Sequence, residues 1–174
     1  MDDFLEQYTK LGAEKGYEIC SKQDKMNAEE IWMREPVLQC REELAFYEEI
    51  FEFLSEDLRL LKENDIITEG PAYLLHLIKA LNVPKNRYLS ITLEKDFQIF
   101  HYKKREWVPH VLEGCGDKEK AFSNWMQRDV LFAKEVQRQC DEEGYASIIN
   151  DGSIEVDELV SKVTVHFGFD DCRK

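Results

Sequence analysis

Between Pro36 and Lys62 apolar residues return every three or four positions, as Val37, Cys40, Leu44, Tyr47, Phe51, Leu54, Leu58 and Leu61. That spacing follows the helical repeat and lays one stripe along roughly seven turns of α-helix. Pro36 suits the first turn, where its missing N–H leaves no bond unmade. Phe46, Ile50, Phe53 and Leu60 widen the stripe beyond a coiled-coil seam, so the face is expected to pack on a sheet or on a neighbouring subunit of a homodimer. A helix this long needs a sizeable core to cover it. The chain has 174 residues, 43% hydrophobic and 11% aromatic, enough for one domain.

The other side of that helix is acidic, with eleven acidic and four basic residues over 29–63. A solvated surface explains such a run most simply. The whole chain carries 36 Asp and Glu against 23 Lys and Arg, a formal net charge of −13. A field of that sign repels phosphate backbones and anionic lipid, which argues against nucleic-acid and membrane partners. The opening MDDFLEQYTK has neither the basic nor the apolar region of a secretory signal, and no apolar run reaches the ~18 residues of a membrane span. The expectation is a soluble, cytoplasmic protein. Cys20, Cys40, Cys115, Cys140 and Cys172 form no C-x-x-C pair and are read as reduced thiols, and His76, His101, His110 and His166 have no metal-binding spacing.

Beyond the long helix, residues 65–68 read as a short strand, Gly70 as a turn and Pro71 as the start of another helix. Residues 87–93 (RYLSITL) read as the next strand, followed by a helix over 94–102. A helix over about 118–142 shows Phe122, Met126, Val130, Ala133, Val136 and Cys140 on one side and stops at Gly144. A strand at 145–149 (YASII), the loop NDGS and a helix over 154–167 complete the chain. Helices alternating with short strands and no hairpin turns predict an α/β fold with a parallel sheet.

Three features carry possible chemistry. Glu69 follows the first predicted strand, where open α/β sheets place ligands, and its carboxylate suits magnesium held through waters; capping the next helix is an equal account. Lys103, Lys104 and Arg105 make 98–110 locally basic inside an acidic chain, fit either to close on a polyphosphate or to pair with the acidic surface. Asp2 and Asp3, ahead of a helix, are ordinarily capping charges.

Taken together, IITEGPAYL, HYKKREW with NWMQRDVLFAKEV, and IINDGSIEVDELVSKV resemble the P-loop small-molecule and nucleotide kinases, the group that includes uridine kinase and adenylate kinase. The resemblance covers nearly the whole chain and implies a single domain, 1–174, with a three-layer parallel-sheet core. It also implies a helical lid over 102–117, ATP and Mg2+ as cofactors, and a small hydroxyl acceptor such as a nucleoside or nucleotide. On that resemblance Asp3, helped by Asp2, orients or deprotonates the acceptor, and Glu69 positions magnesium. Arg105, Lys104 and Arg128 clamp the phosphoryl group, while Asn150, Gly152 and Ser153 border the adenine. Glu69, Arg105 and Arg128 are then expected to converge on one cleft.

The departure is the G-x-x-x-x-G-K-[S/T] loop, which occurs nowhere in the chain; GAEKG at 12–16 lacks its Lys-Ser/Thr ending. The chain therefore reads as N-terminally incomplete, lacking the first strands, with Met1 an internal start and with weak or no turnover expected. The rival reading is a non-catalytic interaction module that binds through the acidic and apolar faces of the long helix.

Overall fold

Helix starts and stops follow local chemistry closely. The computed structural model describes residues 4–61 and 66–169. Three short helices open it, α1 (Leu5–Lys15), α2 (Glu18–Gln23) and α3 (Ala28–Trp32). Gly16 ends α1 at φ 82°, and Gly12 lies against Cys20 so closely that a Cβ there would collide with the thiol, which lets α1 and α2 touch. Asn27 and Glu30 close a reciprocal capping box on α3. The long helix α4 (Pro36–Leu60) begins at Pro36 as expected, and Gln39 Nε2 donates back to the carbonyl of Arg34 at 2.8 Å, fixing the turn that feeds it.

The stripe on α4 is buried through its middle, at Phe46, Tyr47, Ile50, Phe51, Phe53 and Leu54. Its ends are not: Val37 is 70% exposed and Leu60 75%, because the helix outruns its partners. Tyr8 of α1 and Cys20 of α2 cover one side of that middle, and Ala72, Leu74 and Ile78 join the same core. Ile78 belongs to α5 (Leu75–Ala80), which starts at Leu75 and not at Pro71.

The strands β1 (Ser90–Leu93) and β2 (Ser147–Asn150) pair in parallel, Ser90 opposite Ser147 and Leu93 opposite Asn150. Between them run α6 (Lys95–Tyr102), α7 (Val108–Val111) and α8 (Lys118–Glu143), the long crossover that parallel pairing requires. Asp117 caps α8 by accepting from the Lys120 amide, and Gly144 at φ 65° stops it. One strand face meets α8, where Gln137 Nε2 donates to Thr92 Oγ1 at 2.5 Å. A closing helix, α9 (Val156–Phe167), ends at Gly168 and is tied back by His166 Nε2 to the Tyr88 carbonyl at 2.9 Å.

This overturns the expected three-layer parallel-sheet core. The described residues are mostly helical and hold a sheet of only two strands. Of the strand expected at 65–68, Asp65 lies outside the described residues, while Ile66, Ile67 and Thr68 are exposed and unpaired in the sheet. A run of β-branched residues becomes a strand only when a neighbour supplies ladder bonds, and here none does. The helix expected over 154–167 begins two residues later, and the strands at 87–93 and 145–149 shorten and shift to 90–93 and 147–150.

The segment expected as a lid, 102–117, contributes three buried side chains. Val108, Leu112 and Cys115 are buried with Ala121, Trp125 and Met126 in a second core, against which Trp32, Phe122 and Tyr102 pack. Moving 102–117 as a flap would expose those three side chains to water. No described helix is long and apolar enough to cross a membrane. Cys20, Cys40, Cys115 and Cys140 are buried and unpaired, and Cys172 lies outside the described residues.

Candidate functional site

The two strands run in the same direction, so their carboxyl ends meet at one edge, and there the chain builds two linked turns. The Glu94 amide donates to the Asn150 carbonyl at 2.9 Å. The Glu94 carboxylate caps α6 by accepting from the amides of Asp96 at 2.7 Å and Phe97 at 3.3 Å. After β2, Asn150 Oδ1 accepts from the Gly152 amide at 3.0 Å, and Asp151 Oδ1 from the Ser153 amide at 2.9 Å and its hydroxyl at 2.6 Å. The Ser153 bonds hold the Asp151 carboxyl below its ordinary range. Gly152 sits at φ 88°, and a Cβ there would stand 2.5 Å from the Phe97 ring. Glycine is needed on both counts, left-handed backbone and close approach to α6. Asn150, Gly152 and Ser153 are thus one turn beside Phe97.

From this turn α6 leads to the basic cluster. The Phe97 and His101 rings meet tilted at 50° with centroids 4.3 Å apart, Lys104 Nζ lies 3.4 Å from the centroid of Phe100, and Arg105 lies 5.1 Å from that of Tyr102 and 5.7 Å from that of Trp107. The ion pairs of the described residues do not involve Lys103, Lys104 or Arg105. Lys104 and Arg105 lie over or near aromatic faces, and all three cations are exposed.

The other expected site residues are Glu69, Asp2, Asp3 and Arg128. Glu69 is exposed beside Gly70, whose φ is 144°, and it adds to the rise in the Tyr73 phenol's pKa that burial begins. Asp2 and Asp3 lie outside the described residues. Arg128 faces inward. Its Nη1 is 2.7 Å from Glu43 and its Nε 2.6 Å from Asp129, with only 12% of the side chain exposed, and its guanidinium lies 5.4 Å from the centroid of Trp32. Burial opposes its charge, but Glu43 and Asp129 outweigh burial and hold its pKa above the usual value.

That partly buried cluster was not legible in the sequence. Gln98 Nε2 of α6 donates to Asp129 Oδ2 at 2.8 Å, and the Tyr47 hydroxyl donates to Glu43 Oε1 at 2.6 Å. Two carboxylates share one guanidinium. Desolvation pushes the Asp129 carboxyl up to about 6, against the pull of Arg128 and with the push of Glu43. Tyr47 is raised well above the ordinary phenol value, by burial first and then by Glu43. The one available clue was the charged pair Arg128-Asp129 inside an otherwise apolar helical face.

The magnesium and adenine contacts implied by the resemblance meet the residues unevenly. No group of three or more His, Cys, Asp or Glu arranged for a metal occurs among the described residues, but magnesium is commonly held by one carboxylate together with substrate phosphates, so a lone exposed Glu69 fits. Gly152 is closed against the Phe97 ring, and Asn150 and Ser153 bond within the turn. Arg128 does not fit a phosphate clamp, because its guanidinium is taken by two carboxylates. Comparison with protein families, with curated proteins and with solved structures found no match to this chain.

Proposed function

We propose that the chain serves a nucleotide-dependent phosphotransferase of small hydroxyl acceptors, contributing the adenine-side turn and the lid cations, and that it turns over weakly or not at all without a Gly-Lys-Ser/Thr loop. One observation supports the reading: Asn150, Gly152 and Ser153 form a turn at the shared carboxyl edge of two parallel strands, in contact with α6, whose end at Tyr102 is followed by Lys104 and Arg105. Such an edge is where ligands collect in α/β structures, and cations that neutralise a migrating phosphoryl group are the main demand of this chemistry.

In this reading Asn150, Gly152 and Ser153 border the base, Arg105 and Lys104 face the phosphates, and Glu69 holds magnesium. Bound Mg-ATP would supply the phosphoryl group. Asp3, with Asp2, would orient or deprotonate the acceptor. Arg128 acts at a distance, by holding α8 to α4. A cytoplasmic location accords with the unpaired buried cysteines and the acidic charge.

The test is amide chemical-shift mapping of the full chain with magnesium-ATP. The reading expects shifts at Gly152, Ser153 and Arg105, reduced at least tenfold in apparent affinity by Arg105→Ala, with no phosphoryl transfer to a nucleoside. Absence of shifts at millimolar nucleotide would overturn it.

A second reading rests on a different observation. Ile66, Ile67 and Ile91 are 43%, 77% and 44% exposed, and Val156 of α9 is 74% exposed. A non-catalytic interaction module accounts for that surface without any nucleotide. It predicts a silent ATP titration.

A further inference from the structure

Around the end of α6 the chain exposes rings and cations together. Phe100 is 55% exposed and Trp107 42%, and the three cations between them, Lys103, Lys104 and Arg105, are exposed and take no part in the ion pairs of the described residues. Glu106 is the single acidic residue over 98–110, in a chain whose net charge is −13. The carboxyl end of α6, where Lys103 is the cap, favours cations nearby, which accounts for the charge and not for the rings. Lys104 Nζ lies over Phe100, and Arg105 lies near Tyr102 and Trp107, so the charges are spread along a strip with an aromatic base. Trp107 and Tyr102 rest in turn on the buried Trp125, with ring centroids 5.8 and 5.7 Å away. The base of the strip is thus held in place beforehand, and a partner does not have to order it.

We infer that this strip is a docking surface for an acidic peptide segment that also carries apolar side chains, supplied by another polypeptide. Charge complementarity selects the sign of the segment. Trp and Arg side by side are typical of interface centres, so the rings take the segment's apolar side chains while Lys103, Lys104 and Arg105 take its carboxylates. Extent selects the class of partner. At physiological salt charges are screened beyond about 8 Å, so a segment that ends within the strip meets mainly its cations. A nucleic acid or an anionic bilayer runs on past it, over a surface where 36 acidic residues outnumber 23 basic ones. A second copy of the chain brings the same broad acidic surface and is repelled for the same reason. Phe100, Lys103 and Trp107 have no part in the nucleotide reading, so the two readings fail separately.

Fluorescence anisotropy of the full chain with a labelled peptide repeating Asp-Phe-Glu-Leu tests the surface. Its controls are a poly-glutamate of equal charge and a neutral peptide repeating Asn-Phe-Gln-Leu. We expect the first to bind at least about tenfold more tightly than either control, and to weaken in about 0.5 M salt. Lys103→Glu and Phe100→Ser, both at exposed positions, should each weaken it by about fivefold or more, whereas Lys25→Glu, an exposed charge elsewhere, should leave it unchanged within about twofold. Amide shifts caused by the peptide should be largest over 100–107. No binding of the Asp-Phe-Glu-Leu peptide overturns the surface, as does equal binding of poly-glutamate, which makes the contact a matter of charge alone. So does binding indifferent to both substitutions, equal or tighter binding of an oligo-uridylate or of phosphatidylserine vesicles, or shifts confined to residues outside 100–107.

Discussion

Helix α8 holds the same ionic arrangement twice, one arginine between two carboxylates, with opposite results. Arg128 lies between Glu43 and Asp129 with its side chain 12% exposed, and Arg138 lies between Glu135 and Glu142 with its side chain 52% exposed. In the outer arrangement bonds from Arg138 dominate and hold the Glu135 carboxyl down at about 2. In the inner one desolvation dominates and lifts Asp129 to about 6, although its arginine is just as near. Proximity of a counter-charge therefore does not set the sign here. The sign is decided by how much hydration each carboxylate gave up to reach its arginine.

The largest expected difference comes from removing each arginine. Arg128→Ala leaves the partly buried Glu43 and Asp129 without a cation and should cost more than the roughly 1 kcal/mol of a surface pair in urea denaturation at pH 7. If the loss is no greater than for a surface charge, the inner cluster is more hydrated than its geometry indicates.

The pH dependence should separate the two groups next. Asp129 has a folded value above its unfolded one, so its contribution is full below about 4 and is lost as pH rises to about 6, amounting to roughly 3 kcal/mol. Glu135 has a folded value below its unfolded one, so its contribution is present above about 4.5 and is lost as pH falls toward 2. Denaturation midpoints across pH 3 to 7 should show Asp129→Asn removing the decline between 4 and 6, and Glu135→Gln removing part of the acid loss below 4. The reverse assignment would break the comparison.

A smaller effect is expected for Glu43→Gln, which leaves Arg128 one full counter-charge and Tyr47 a neutral acceptor, and should change stability at pH 7 by about 1 kcal/mol or less. Smallest of all is Arg138→Ala. Its pairs are exposed and screened, so the denaturation midpoint should move only slightly at low salt and not measurably at about 0.5 M salt.

Much of the local structure was legible because its causes are local. Pro36 begins α4, Gly144 ends α8, and the three-four stripe buries Tyr47, Phe51 and Leu54. The turn at 150–153 was legible as a loop from its Asn, Asp, Gly and Ser, each of which bonds or bends the backbone within two residues. The same stripe gave no warning that Val37 and Leu60 would be exposed, since periodicity states which side of a helix is apolar and not how far its partners extend.

Sequence alone determined where α4 begins and where α8 begins and ends, the acidic surface and the middle of the core, all consequences of a residue's own preferences and of spacing along one element. Only the tertiary structure decided that Ile66 and Ile67 would not join a sheet, because a strand exists through a neighbour that the chain must bring to it. It alone turned Arg128 inward and joined Glu43, Gln98 and Asp129 across 86 positions of sequence. Charge can be counted along a chain, but its desolvation depends on what three separate helices place around it.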